Sequence, residues 1–128
     1  MPIHRSVPKQ SADAAGEGAV AIYEMRRYRA MPGRPPVLLK RFETRTLKIW
    51  DRIGIRQDGF WTNVISPSHL ELFYILIWDS KEERQRKWDA FMADPEGIEA
   101  LAQSERDGLI IANVESSLRR PTSFSPLQ

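Results

Sequence analysis

The sequence predicts one α+β domain of ferredoxin-like β-α-β-β-α-β order, an antiparallel four-stranded sheet with helices on one face. Three observations carry this. At 128 residues the chain has room for a single core. Four stretches of strand character are interleaved with two of helical period. The stretch 70–78 is apolar on both faces apart from Glu71, as a central strand covered on both sides would be. Helices on one face leave the second cover to another copy of the protein, so a homodimer is expected.

Residues 1–19 hold Pro2, Pro8, Gly16 and Gly18 without periodicity and read as a flexible arm, with the domain proper over 20–120. The first strand, 19–30, puts Ile22, Glu24, Arg26 and Tyr28 on one side and Tyr23, Met25, Arg27 and Arg29 on the other. Met31-Pro32-Gly33 turns the chain. Pro35 and Pro36 suit a helix start, and Leu39, Phe42, Thr46, Ile49 and Ile53 supply an apolar stripe that ends at Gly54. Residues 60–65, between Asp58-Gly59 and Ser66-Pro67-Ser68, form the second strand, and a hairpin leads into the third. Ser80 and Glu83 make a capping box for the second helix, with Arg84, Trp88, Phe91 and Met92 facing inward. Asp94-Pro95 interrupts that helix; Ile98, Leu101 and Ala102 continue it to Gly108. The fourth strand, 109–118, sets Ile110, Ala112, Val114 and Leu118 against Ile111, Asn113 and Glu115, and 121–128 is an extended tail.

The net charge of +2 comes from 19 basic and 17 acidic residues that are interspersed. The basic tracts Arg26-Arg27 to Arg29 and Lys40-Arg41 are too short to track phosphates and read as solvated or internally paired surface, so nucleic acid is not an expected partner. The absence of cysteine excludes thiolate metal sites and thiol nucleophiles. A single histidine, His69, lies inside the domain, without the companions that a metal site needs, and no metal or cofactor is expected. No apolar run reaches membrane-spanning length, and residues 1–19 carry no signal core, which makes the cytoplasm the expected compartment.

Particular residues resemble a known family. Ile22-Tyr23-Glu24-Met25-Arg26-Arg27-Tyr28, the Pro32-Gly33 turn, Trp78-Asp79-Ser80 with Glu83-Arg84, and the ending Leu118-Arg119-Arg120-Pro121-Thr122-Ser123-Phe124-Ser125-Pro126-Leu127 are similar, in order and spacing, to the NIPSNAP family. The likeness covers about residues 20–127. It implies a dimeric α+β barrel, in which two sheets meet face to face with the helices outside. Tyr74 falls where the family commonly has a strand-three histidine, and His69 where it commonly has a hairpin asparagine. The family has no settled reaction; its fold relatives include cofactor-free monooxygenases, haem-degrading enzymes and small-ring isomerases, with pockets between sheet and helices.

Six residues are ligand-binding candidates. Glu24, Arg26 and Tyr28 share a strand face and could bind a carbonyl or carboxylate, Arg26 anchoring and Tyr28 donating; the competing assignment is a structural pair at the dimer seam. His69 sits at a hairpin tip, where solvent exposure is the simpler expectation. Trp61 and Tyr74 belong to a set of large rings that line an aromatic pocket or pack the core. Small-molecule binding in a pocket between sheet and helices is the leading expectation. A non-catalytic interaction module is the alternative, and a cofactor-free monooxygenase the third option.

Overall fold

A computed structural model describes residues 21–128. The arm expected over 1–19 and His4 within it lie outside the described residues. Strands β1 (Ile22–Ala30), β2 (Arg56–Thr62), β3 (Glu71–Trp78) and β4 (Ile111–Arg119) form one antiparallel sheet in the order β2-β3-β1-β4. Helices α1 (Pro35–Arg41) and α2 (Leu47–Ile53) are joined through a π-helical turn, Phe42–Thr46; α3 (Lys81–Ala93) and α4 (Pro95–Ser104) follow β3.

The central position of β1 and β3 follows from their composition. Ile22, Tyr28, Leu72, Tyr74, Leu76 and Trp78 all point to the helix-covered face, where they join Leu38, Phe42, Trp50, Ile55 and Ile110 in the main core. Rings of Tyr28, Phe42, Trp50, Phe60, Tyr74, Trp88 and Phe91 are contiguous within it, at centroid separations of 5.2–6.4 Å. Such pairs add about 0.5–1.5 kcal/mol each beyond their burial.

The π turn decides which residues of the first helical segment face this core. Leu38, Phe42, Thr46 and Trp50 are buried at spacings of four, a pattern that drifts by about 40° per step on an ordinary helix of 3.6 residues per turn. A wider turn removes the drift and keeps all four on the sheet side. Leu39, expected in the stripe, is consequently 37% exposed, whereas Leu38 is 1% exposed.

Several other boundaries and faces differ from expectation. β2 begins at Arg56, before the Asp58-Gly59 pair, and ends at Thr62. Gly59 is not a turn but a bulge at φ +148°, where the pairing with β3 slips by a residue. The ring of Trp61 lies over it, so closely that a Cβ there would stand 2.5 Å from the indole. Val64 and Ile65 belong to the following loop, which Asn63 braces through Ser66 Oγ, the Ser68 carbonyl and Glu71 Oε1 at 2.8–2.9 Å. A second bulge lets Ala30 pair with Ile111 directly after Arg29 pairs with Asn113, so Ile110 and Ile111 both pack against the core instead of on opposite faces. On α3 and α4, Met92, Ile98, Leu101 and Ala102 are exposed; Glu83 is the buried residue of α3 and Ala100 that of α4. Ser80 Oγ does accept from the Glu83 N–H at 3.0 Å, but the Glu83 carboxylate reaches back to the Asp79 N–H, one residue earlier than a capping box requires.

The opposite face of the sheet carries Tyr23, Met25, Arg27 and Arg29 from β1 beside Ile77, Ile75, Phe73 and Glu71 from β3. Residues 121–128 are not simply extended: the Ser125 N–H closes a turn on the Thr122 carbonyl, and the Tyr23 hydroxyl donates to the Gln128 carbonyl at 2.7 Å. Tyr23 and Ile77 are buried there with Ala21, while Met25, Phe73 and Ile75 remain half-buried.

Candidate functional site

Strand geometry puts Glu24, Arg26 and Tyr28 on one face of β1, and the register sets them beside Leu76, Tyr74 and Leu72. This is the face under the helices, not the open one. Glu24 is 0% exposed, and its two oxygens accept from five donors. Trp78 Nε1 and Arg84 Nε reach Oε1 at 2.9 and 2.7 Å; Arg84 Nη2, Arg26 Nη1 and Ser116 Oγ reach Oε2 at 3.0, 3.0 and 2.6 Å. A carboxylate has about four lone-pair sites, so none remains for a substrate. Arg26 also donates to the hydroxyls of Tyr74 (2.8 Å) and Tyr28 (3.2 Å), with its guanidinium 4.5 Å from the Trp88 ring centroid.

The electrostatics make this network static. Burial by itself pushes the Glu24 carboxyl up, but hydrogen bonds from Arg84, Ser116, Trp78 and Arg26 outweigh it and hold the pKa at about 2. Burial, aided by the neighbouring Tyr28, pushes the Tyr74 phenol well above its ordinary value against the opposing charge of Arg26. Glu24 therefore stays ionised and Tyr74 neutral across the physiological range.

A cavity of about 210 Å³ opens next to the network. Its walls are Arg41, Phe42, Thr46, Ile49 and Trp50 from the first helical segment, Phe91 and Met92 from α3, Ile98 and Leu101 from α4, and Ile111 at the sheet. Tyr28 is the one sequence candidate that lines it. Glu24, Arg26 and Tyr74 lie behind it in the packed network. Trp61 is 48% exposed on the opposite face, its ring against Phe73 at 5.7 Å, and His69 is exposed in the loop before β3. The six candidates thus divide over four places: the cavity wall, the network behind it, the open face of the sheet and the loop before β3.

Sequence reasoning missed Arg41, which read as part of a short surface tract with Lys40. Its guanidinium is half-buried at the cavity wall and donates to Ser104 Oγ at 3.2 Å. It also missed Trp50 as a polar group: the ring is fully buried, and its Nε1–H has no hydrogen-bond partner among the described residues. The only available signal was their i, i+9 placement on one helical segment, which the π turn brings to the same wall.

The NIPSNAP family model matches residues 23–126, nearly the whole of the described chain. The chain belongs to the NIPSNAP family. A NIPSNAP family protein of unknown function from Agrobacterium tumefaciens has a similar structure, with TM-score 0.74 and 28% identity over 88% of this chain and 97% of that one. An uncharacterised NIPSNAP-like domain protein from Burkholderia xenovorans shares the fold at TM-score 0.72 and 23% identity, covering 83% of this chain and 89% of its own. A protein from Pseudomonas aeruginosa shares the fold at TM-score 0.57 and 11% identity, over 84% of this chain and 100% of that one. No curated protein matches the sequence. Among the described residues of this NIPSNAP protein, no group of three or more His, Cys, Asp or Glu side chains could hold a metal ion, and no helix is long and apolar enough to cross a membrane.

Proposed function

We propose that this NIPSNAP protein is a homodimer that binds a small molecule in the cavity between the first helical segment, α4 and the sheet. The cavity itself carries the reading. At about 210 Å³ it exceeds the roughly 150 Å³ that holds benzene and falls below the roughly 300 Å³ at which drug-sized pockets begin. Native mass spectrometry of the protein purified under mild conditions would test it, with Ile98→Trp as the plugged control. A bound species released by organic solvent, and missing from the plugged variant, is the expected result; equal spectra for the two proteins would refute the reading. The same proposal carries the cytoplasmic location expected from the sequence, which imaging of the full chain would check.

The dimer rests on the open face of the sheet. Met25, Phe73 and Ile75 are half-buried on it, and Trp61 lies beside them. Beside them lie the ion pairs Arg27–Glu115 at 3.0 Å and Arg29–Glu71 at 2.9 Å, with Arg27 directly across from Phe73, so the face joins an apolar patch to a charged one.

The interaction-module reading has its own support in Val64 and Ile65, 86% and 92% exposed on adjacent loop positions. Replacing both with Ser would abolish partner capture on that reading and leave cavity binding intact. The oxygenase reading needs Tyr28 or Tyr74 to take part in proton removal; Tyr74 is enclosed, neutral and engaged by Arg26, while Tyr28 lines the cavity with its hydroxyl accepting from Arg26 at 3.2 Å.

A further inference from the structure

We propose that the cavity takes a small apolar carboxylic acid, its carboxylate paired with Arg41 and its body held against Tyr28, Phe42, Ile49, Ile98 and Leu101. This rests on the cavity being a binding site and names what it binds.

The first argument is charge. The other arginines of the first helical segment are matched with carboxylates: Arg45 with Glu99 at 2.7 Å, and Arg52 with Asp94 at 3.0 Å and Glu96 at 2.9 Å. Among the described residues Arg41 bonds only the neutral Ser104 hydroxyl, and it lies 5.9 Å from the Phe42 ring centroid. Burial lowers its pKa, and Tyr28, Glu105 and Tyr74, near enough to favour the cation, do not offset the loss of solvent. A guanidinium drawn out of water without a directly bonded anion is costly, and a planar carboxylate returns two parallel hydrogen bonds. A single cation suits a monoanion; polyphosphates call for several.

The second argument is the rest of the wall. Beyond Arg41 it is mostly aromatic and aliphatic, which suits an apolar body. The third argument is place. The π turn Phe42–Thr46 starts at Arg41's neighbour and contributes two cavity residues, and such turns occur disproportionately at functional sites.

The cavity volume limits the body to about one ring or a short branched chain. Benzoate, phenylacetate and hydrocinnamate, each beside its neutral amide, are therefore the probes for calorimetric titration against the full chain and the Arg41→Gln and Ile98→Trp variants, all checked for folding by circular dichroism. At least one acid is expected to bind tenfold or more tightly than its amide. Arg41→Gln should abolish that preference without weakening the amide, and Ile98→Trp should remove both. Equal binding of acid and amide, unchanged in Arg41→Gln, overturns the acid assignment and leaves the cavity reading standing. Binding of neither class to the unaltered protein overturns both.

Discussion

Arg84 on α3 grips both oxygens of Glu24 on β1, through Nε at 2.7 Å and Nη2 at 3.0 Å, so the helix is fastened to the central strand by a two-pronged charged bond. Glu24 meets Arg26, Trp78 and Ser116 at the same point. The carboxylate thus joins β1, β3, β4 and α3.

Glu24→Gln leaves Arg26 and the inner end of Arg84 without their anion. Removing one partner from a buried pair costs about 3–5 kcal/mol, whereas Ser116→Ala, which deletes a single donor at the rim, should cost about 1.5–3 kcal/mol at most. Urea denaturation of both variants checks this. A Glu24→Gln protein as stable as Ser116→Ala would show the network to be ornamental.

Acid should reveal the same group. The folded pKa of Glu24, about 2, lies below the ordinary 4.5, so its contribution is fully present above the unfolded pKa and is lost as pH falls from about 4.5 toward 2. Stability measured across that window should fall less steeply in Glu24→Gln than in the unaltered protein. Parallel slopes would assign the acid sensitivity to other carboxylates.

The sequence made β1 and β3 legible because their alternation and two-sided apolarity admit few other arrangements, and the Glu24-Arg26-Tyr28 face followed from a period of two. Asp58-Gly59 misled because the same pair serves turns and bulges, and only the register with β3 distinguishes them. The cavity was beyond reach for a different reason. A π turn has no composition of its own, and without it Arg41 and Trp50 do not share a wall. Arg41 therefore passed for ordinary surface charge.

Gly59→Ala should destabilise the protein by at least about 1 kcal/mol, since the residue sits at φ +148° and its new methyl would meet the Trp61 ring. Adding Trp61→Ala should recover the steric part and not the conformational part. Thermal denaturation of the two single variants and the double variant would measure the coupling; strict additivity would mean that the ring moves aside freely.

Light scattering at micromolar concentration should give twice the mass of the chain. Phe73→Asp, at the centre of the open face and remote from the cavity, should give the single mass while leaving ligand binding unchanged. A monomeric unaltered protein would sink the dimer.

Ser80→Ala deletes the acceptor for the Glu83 N–H at the start of α3 and should cost about 1 kcal/mol. Amide exchange would locate the loss in the first turn of that helix, and a uniform loss over the domain would contradict a local cap.

The wide turn at Phe42–Thr46 also governs how the gene can change in length. One codon deleted there would let the segment close as a regular helix with Leu38 and Trp50 still on one face, since the eleven residues then separating them make about three whole turns. One codon deleted between Leu38 and the turn would instead rotate Leu38 by about 100° off the sheet. Such a chain should keep its far-ultraviolet helical signal and lose its near-ultraviolet aromatic signal. The turn is then the place in this helical segment where the chain can lose a residue and keep both ends in phase with the sheet.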